Sequence, residues 1–488
     1  MRETALKSSI ILYVLSTAFL MGLSINIQSV KSDWAWTETV YIRADGSIEP
    51  DTAPISTVDN VTYTLTDNIV GDIPESETAI AVQKDDIVID GSSHTVQGTG
   101  AEGSRAISLW NRNNVTIKNV EVADFHYGIS LYYSTNTTLL GNAASNNEYN
   151  FGVDGDDLSE FIHAIDTTNT VDGKPIYYLV DEADAIIDAQ TNAGTIYLIN
   201  CNNITVKDLT LTRNLHGVSL VNTADSTIEN ITASANMYGL TLDMASDNNT
   251  ISGNNISANN YYGLPLTGSS NNNIISENNI EDNPHAMLLH GSSNNTVHGN
   301  HVAKSTYGLR LMESSNNNTI SGNTITENTL YGVRLISSSH NRVSGNNITA
   351  NNGHGIWLHE SSGNNISGND IAYSTYGISL EGSFNNTISH NNFVNNTQQV
   401  ESSNSTNSWD DGAEGNFWSD YEERYPDAEE IDGSGLWDIP YFIDENNQDN
   451  YPIIPEFPSF LLLPLLMALT LGVAALSKKK RLSRKKDS

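Results

Sequence analysis

Cysteine is nearly absent. Cys201 stands alone in 488 residues, which excludes an intrachain disulfide and any metal site built on clustered cysteines. Positive charge is also scarce: 23 Lys and Arg face 58 Asp and Glu, for a net charge of −35, and seven of the 23 crowd after residue 477. A body this acidic repels phosphate backbones and anionic lipid, so nucleic acid is excluded as its partner. Helix propensity is low throughout because Asn, Ser, Thr and Gly dominate. Long apolar runs occur only near the two ends.

One pattern is instead repeated seven times between Tyr238 and Phe393: an aromatic residue, a glycine, alternating apolar residues, an Asn/Ser-rich turn, then an apolar-Ser-Gly-Asn-Asn-apolar segment. The closing residues Ile256, Ile280, Val302, Ile325, Ile348, Ile371 and Phe393 lie 24, 22, 23, 23, 23 and 22 apart. A fixed period of this length marks a solenoid, in which one coil cannot bury its own apolar face and must stack on its neighbours. Segments such as Gly308-Leu-Arg-Leu311 and Gly332-Val-Arg-Leu335 alternate with period two, so the coils are built of strands. The expected fold is all-β, a right-handed parallel β-helix of 22–24 residues per coil. Columns of Ile and Val should stack inside, and Asn254, Asn278, Asn300, Asn323, Asn346, Asn369 and Asn391 should form a ladder at one turn.

In chain order, residues 1–31 read as a signal peptide or signal anchor, with an apolar run from Ile10 to Ile27. Residues 32–85 read as an N-terminal cap, 86–400 as the β-helix and 401–454 as a C-terminal cap. Within 149–200 the repeat is lost, either to degenerate coils or to a lateral excursion. Residues 455–476 hold Pro455-Glu456-Phe457-Pro458 and an apolar run that can just span a bilayer as a transmembrane helix; the basic tail 477–488 then places the C-terminus inside the cell.

These repeats, with Val171-Asp-Gly-Lys-Pro-Ile-Tyr-Tyr178 and the closing segment from Gly415-Asn-Phe-Trp-Ser-Asp-Tyr421 to Asp438-Ile-Pro-Tyr441, resemble the NosD-like, carbohydrate-binding and sugar-hydrolase class of β-helix surface proteins. The end of the chain resembles an archaeal PEF-CTERM sorting signal, which implies processing near Pro455 to Pro458 by an archaeosortase-like enzyme. In related closing segments an Asp-Gly stretch looks like a calcium loop. The corresponding stretch here makes Asp427, Asp432 and Asp438 calcium candidates, although it lacks most of the alternating acids. The NosD resemblance also implies copper, which needs about three His, Met or Cys ligands converging. His285 and His354 lie three coils apart, and the local pair His298 and His301 lacks a third ligand.

Three function classes follow. A glycan-binding or cell-envelope structural module is favoured by an outward column reading Ser219, Thr241, Pro265, Leu288, Arg310, Arg334, Trp357, Ser379. Two arginines on neighbouring coils, about 4.8 Å apart, repel unless an anion lies between them. Trp357 offers a sugar ring a flat face, and His290 and His359 flank the same side. The bland alternative pairs the arginines with Glu313 and Glu327. The tyrosine column before the glycines has inward parity and reads as packing. A polysaccharide hydrolase, lyase or epimerase is the second class, with Glu360 and Glu381 or Asp156 and Asp157 as carboxylates; Gly353-His354-Gly355 resembles the Gly-His-Gly of β-helical pectin hydrolases. A NosD-type copper-handling protein is the third.

Overall fold

The computed structural model describes residues 36–454. Each repeat folds as three short strands; one coil comprises Tyr307–Met312, Thr319–Ser321 and Thr324–Thr326. Each strand pairs in parallel with its counterparts one coil before and after, so that Leu309 sits between Met287 and Val333, and Ile320 between Val297 and Val343. The chain makes a parallel β-solenoid of about 16 turns. Its inward columns are dry: Leu309, Leu311, Ile320 and Ile325 are all 0 % exposed, and each such side chain stabilises the stack by roughly 1.5–3 kcal/mol.

Polar residues hold the corners. The seven-Asn column is buried, and from Asn278 onward each side-chain oxygen accepts from the backbone and side-chain N–H of the Asn one coil earlier, as Asn346 does from Asn323 at 3.0 and 2.9 Å. The glycine of each aromatic-Gly pair is required by close approach. A Cβ on Gly332 would lie 2.7 Å from the Gly355 carbonyl oxygen and 2.8 Å from Asn351 Nδ2.

Residues 149–200 contain a change of direction. Asp172 and Gly173 (φ 47° and 75°) form a tight Asp-Gly turn. The strand Lys174–Val180 therefore runs antiparallel to Thr170–Val171 but parallel to Thr195–Ile199. One 16-stranded sheet continues through this seam and serves two cores. Ile176, Tyr178, Tyr197 and Ile199 point into the first, while Ile196 and Leu198 point into the second. The free edge of Tyr149–Asp154 is closed by the backbone of Arg213–Leu215, through Asn150 N to Arg213 O at 2.7 Å and Leu215 N to Phe151 O at 2.9 Å, which removes an open strand edge.

Residues 40–82 already contribute strands to the first stack: Val40–Ile42 pairs with Thr78–Val82, and Thr62–Leu65 with Ile87–Asp90. At the other end Phe393, Trp418 and Tyr441 stack at 4.5 and 4.1 Å. The signal segment, Pro455 to Pro458 and the apolar run after them lie outside the described residues. Among the described residues no helix is long and apolar enough to cross a membrane.

Candidate functional site

The solenoid brings the outward column into register as Leu288, Arg310, Arg334, Trp357, Ser379 and Glu401 on six successive strands of the long sheet. Arg310 and Arg334 are direct neighbours. Contrary to the expectation that Glu313 and Glu327 neutralise them, neither arginine forms an ion pair among the described residues. Both glutamates sit at turns with positive φ, beyond the strands that carry the arginines. Arg310 instead meets His285 Nδ1 at 2.9 Å and the Met312 sulfur at 2.8 Å, and the buried Nε of each arginine has no partner. Burial lowers the pKa of the Arg334 guanidinium, and neighbouring Arg310 adds to the effect.

Aromatic rings support the pair. Arg310 lies over Tyr307 at 4.8 Å, and Arg334 lies over Tyr331 at 4.9 Å and Trp357 at 4.2 Å. The tyrosine column thus corrects its expected inward parity: the rings are half-buried and pack beside outward arginines. The corner interior is already filled by a second buried Asn column, including Asn259, Asn283, Asn328 and Asn351. His216, Tyr238, Tyr262, His285, Tyr307, Tyr331, His354 and Tyr376 form one continuous ladder with centroids 4.6–6.0 Å apart. Their faces are spent on each other.

A groove follows Trp357, lined by His354, Trp357, Ser379, Glu381, Glu401 and Ser403. The Ser379 hydroxyl meets His354 Nδ1 at 2.7 Å and donates to Glu401 Oε2 at 3.1 Å. Burial depresses the His354 pKa, and Arg334 depresses it further while Glu401 opposes them. Its imidazole is therefore largely neutral near pH 7. Glu381 contacts His359 Nδ1 at 3.0 Å. Glu360 is not in this groove; it occupies a left-handed turn (φ 49°), and the structure brings Glu381 together with Glu401 instead. Glu401 escaped the sequence reading because the column was followed only to Ser379. One further coil would have found it.

The other candidates do not converge. His290 is exposed and three coils from His359 in the same column. The backbone N–H groups of Asp156 and Asp157 bond Glu160 Oε2 at 2.7 and 3.1 Å, so this pair opens a short 3₁₀ turn. His298 and His301 belong to different sheets. Asp427 and Asp432 are exposed on the closing segment, and Asp438 accepts from Glu429 N at 2.8 Å.

A profile of the family described as periplasmic copper-binding protein (NosD) matches residues 44–169, 159–300 and 268–423. The chain belongs to the NosD family. No curated protein matches the sequence. Among solved structures, this NosD protein is similar to the A-module of mannuronan C-5 epimerase AlgE6 from Azotobacter vinelandii, at 14 % identity over 71 % of this chain and 88 % of that one, with TM-score 0.33. A double mutant of the periplasmic alginate epimerase AlgG aligns at 14 % identity over 72 % and 80 %, TM-score 0.37. DFA-IIIase from Arthrobacter chlorophenolicus A6 aligns at 13 % identity over 63 % and 83 %, TM-score 0.32.

The copper in the NosD description does not fit the residues present. Among the described residues no three His, Cys, Asp or Glu side chains converge in a way that could hold a metal ion, and the same holds for a calcium site at Asp427, Asp432 and Asp438. Cys201 is buried with its sulfur against the Ile199 carbonyl, and His216 is buried against the Tyr197 hydroxyl. His285 is engaged by Arg310 and His354 by Ser379.

Proposed function

We propose that this NosD protein works outside the cytoplasm as an envelope glycan-binding module, with an acidic polysaccharide held along the Arg310, Arg334 and Trp357 face. The periplasmic description of the family supports export, and the apolar run from Ile10 to Ile27 would serve as its signal. The apolar run after Pro458 holds the protein at the membrane until an archaeosortase-like enzyme acts near Pro455 to Pro458.

One observation carries the reading. Among the described residues two adjacent guanidiniums stand without a carboxylate partner on a chain of net charge −35. Their adjacency and the aromatic rings that flank them favour an anion delivered from outside. Carboxylates spaced along a uronate chain meet two cations about one strand spacing apart, roughly 4.8 Å. Titration with oligogalacturonate and with its fully methyl-esterified form tests this. Binding should be confined to the charged form and weaken with added salt; equal binding of both forms would remove the arginine pair from the account.

The groove beyond Trp357 favours a second reading, a polysaccharide-active enzyme using Glu381 and Glu401. A hydrolase would lose product release in Glu381→Ala and Glu401→Ala variants while keeping its binding to Arg310 and Arg334.

A further inference from the structure

The outward column changes chemistry one coil at a time: cation at Arg310, cation at Arg334, aromatic at Trp357, a small side chain at Ser379, acid at Glu401. Coil stacking decides what covers each residue. The face of Trp357 toward the preceding coil is occupied, by the Arg334 guanidinium at 4.2 Å and the Tyr331 ring at 5.1 Å and 14°. Across the opposite face the next coil supplies Ser379, whose buried hydroxyl is held by His354 and Glu401 and cannot reach over the indole. Tyr376 in that coil stacks on His354 at 4.8 Å, not on Trp357. The His354 and His359 rings lie alongside the indole at 5.8 and 5.7 Å, and the indole surface they leave lines the groove walled by Glu381 and Glu401, both exposed.

We infer that this groove is a subsite for an amino sugar bearing a free, protonated amine, adjoining the uronate bound by the arginine pair. The inference rests on the glycan reading of Arg310 and Arg334 and deepens it to a polymer in which uronic acid and unsubstituted hexosamine residues adjoin. The indole surface in the groove takes the apolar C–H face of the sugar ring and attracts an ammonium through its quadrupole. The carboxylates of Glu381 and Glu401 accept from that ammonium in charge-assisted hydrogen bonds. An uncharged N-acetyl group would leave Glu401 facing no cation and Glu381 with only the His359 imidazole.

The test uses two tetrasaccharides that share their glucuronates and differ only at the amine: heparosan and its fully de-N-acetylated form, titrated into the full chain, with oligogalacturonate as the control for the arginine pair. The de-N-acetylated form should bind at least tenfold more tightly than heparosan. In the Glu381→Gln/Glu401→Gln variant that preference should vanish while oligogalacturonate binding is retained, and Ser379→Leu, which fills the space over the indole, should act in the same way. Equal affinity of the two tetrasaccharides for the unaltered chain, or a preference that survives Glu381→Gln/Glu401→Gln, would overturn the subsite. Loss of oligogalacturonate binding alone would instead count against the arginine reading, so the two failures are distinguishable.

Discussion

Replacing Asn346 by alanine should loosen the second stack locally and measurably. Its side chain makes four hydrogen bonds at a position 1 % exposed. The oxygen accepts from Asn323 N at 3.0 Å and Asn323 Nδ2 at 2.9 Å, and the amide donates to Ile320 O at 3.0 Å and Asn369 Oδ1 at 2.8 Å. Each bond contributes roughly 1 kcal/mol net, and the substitution leaves the Asn323 N–H and Ile320 carbonyl buried without that partner, so the cost is about 4 kcal/mol. A solenoid distributes stability between nearest neighbours, which confines the effect to adjoining coils. Amide hydrogen exchange reads it residue by residue: the Asn323 amide should exchange about 10³-fold faster, at about 1.4 kcal/mol per tenfold, while Ile107 and Leu109 in the first stack stay unchanged. Acceleration below tenfold at Asn323 would refute the idea that the Asn column holds the coils together.

Other perturbations follow from the same geometry. Gly332→Ala drives a methyl group against the Gly355 carbonyl and should cost about 1–3 kcal/mol in chemical denaturation; an unchanged midpoint would contradict the close approach. Burial raises the Asp154 carboxyl to about 6, with Asp243, Asp156 and Glu160 adding to it. A carboxyl raised in the folded state binds its proton more tightly there, so its cost is absent below about pH 4 and grows as pH rises through 6. Asp154→Asn should therefore stabilise the protein by about 2–3 kcal/mol at pH 8 and by little at pH 4, as thermal unfolding at the two pH values would show. Trp357→Ala removes the ring that Arg334 lies over; under the proposed glycan binding it should weaken acidic-glycan affinity several-fold, and full retention of affinity would place the sugar elsewhere.

The repeat fold was legible because its determinants are local and periodic. Ile320, Val343 and Ile366 recur at the spacing that makes them register partners, and the Asn column follows from one turn position repeated. Outward parity at Arg310, Arg334 and Trp357 was legible for the same reason. The Tyr column was misjudged because alternation within a strand ignores the corner before it, where buried amides such as Asn328 and Asn351 leave no room for a ring. The loss of the repeat within 149–200 was legible, and the reversal inside it carries a signal at Asp172-Gly173, a two-residue Asp-Gly turn between apolar runs, that the choice between degenerate coils and an excursion did not use. The unpaired state of the arginines was not legible at all, since Glu313 and Glu327 are near in sequence and only the turn geometry directs them away.

The most direct measurement is calorimetric titration of oligogalacturonate into the Arg310→Ala/Arg334→Ala variant, with circular dichroism confirming that the β-solenoid is retained. If this face holds an acidic glycan, binding falls at least a hundredfold relative to the unaltered chain and loses its salt dependence. Affinity and salt dependence that match the unaltered chain would contradict it.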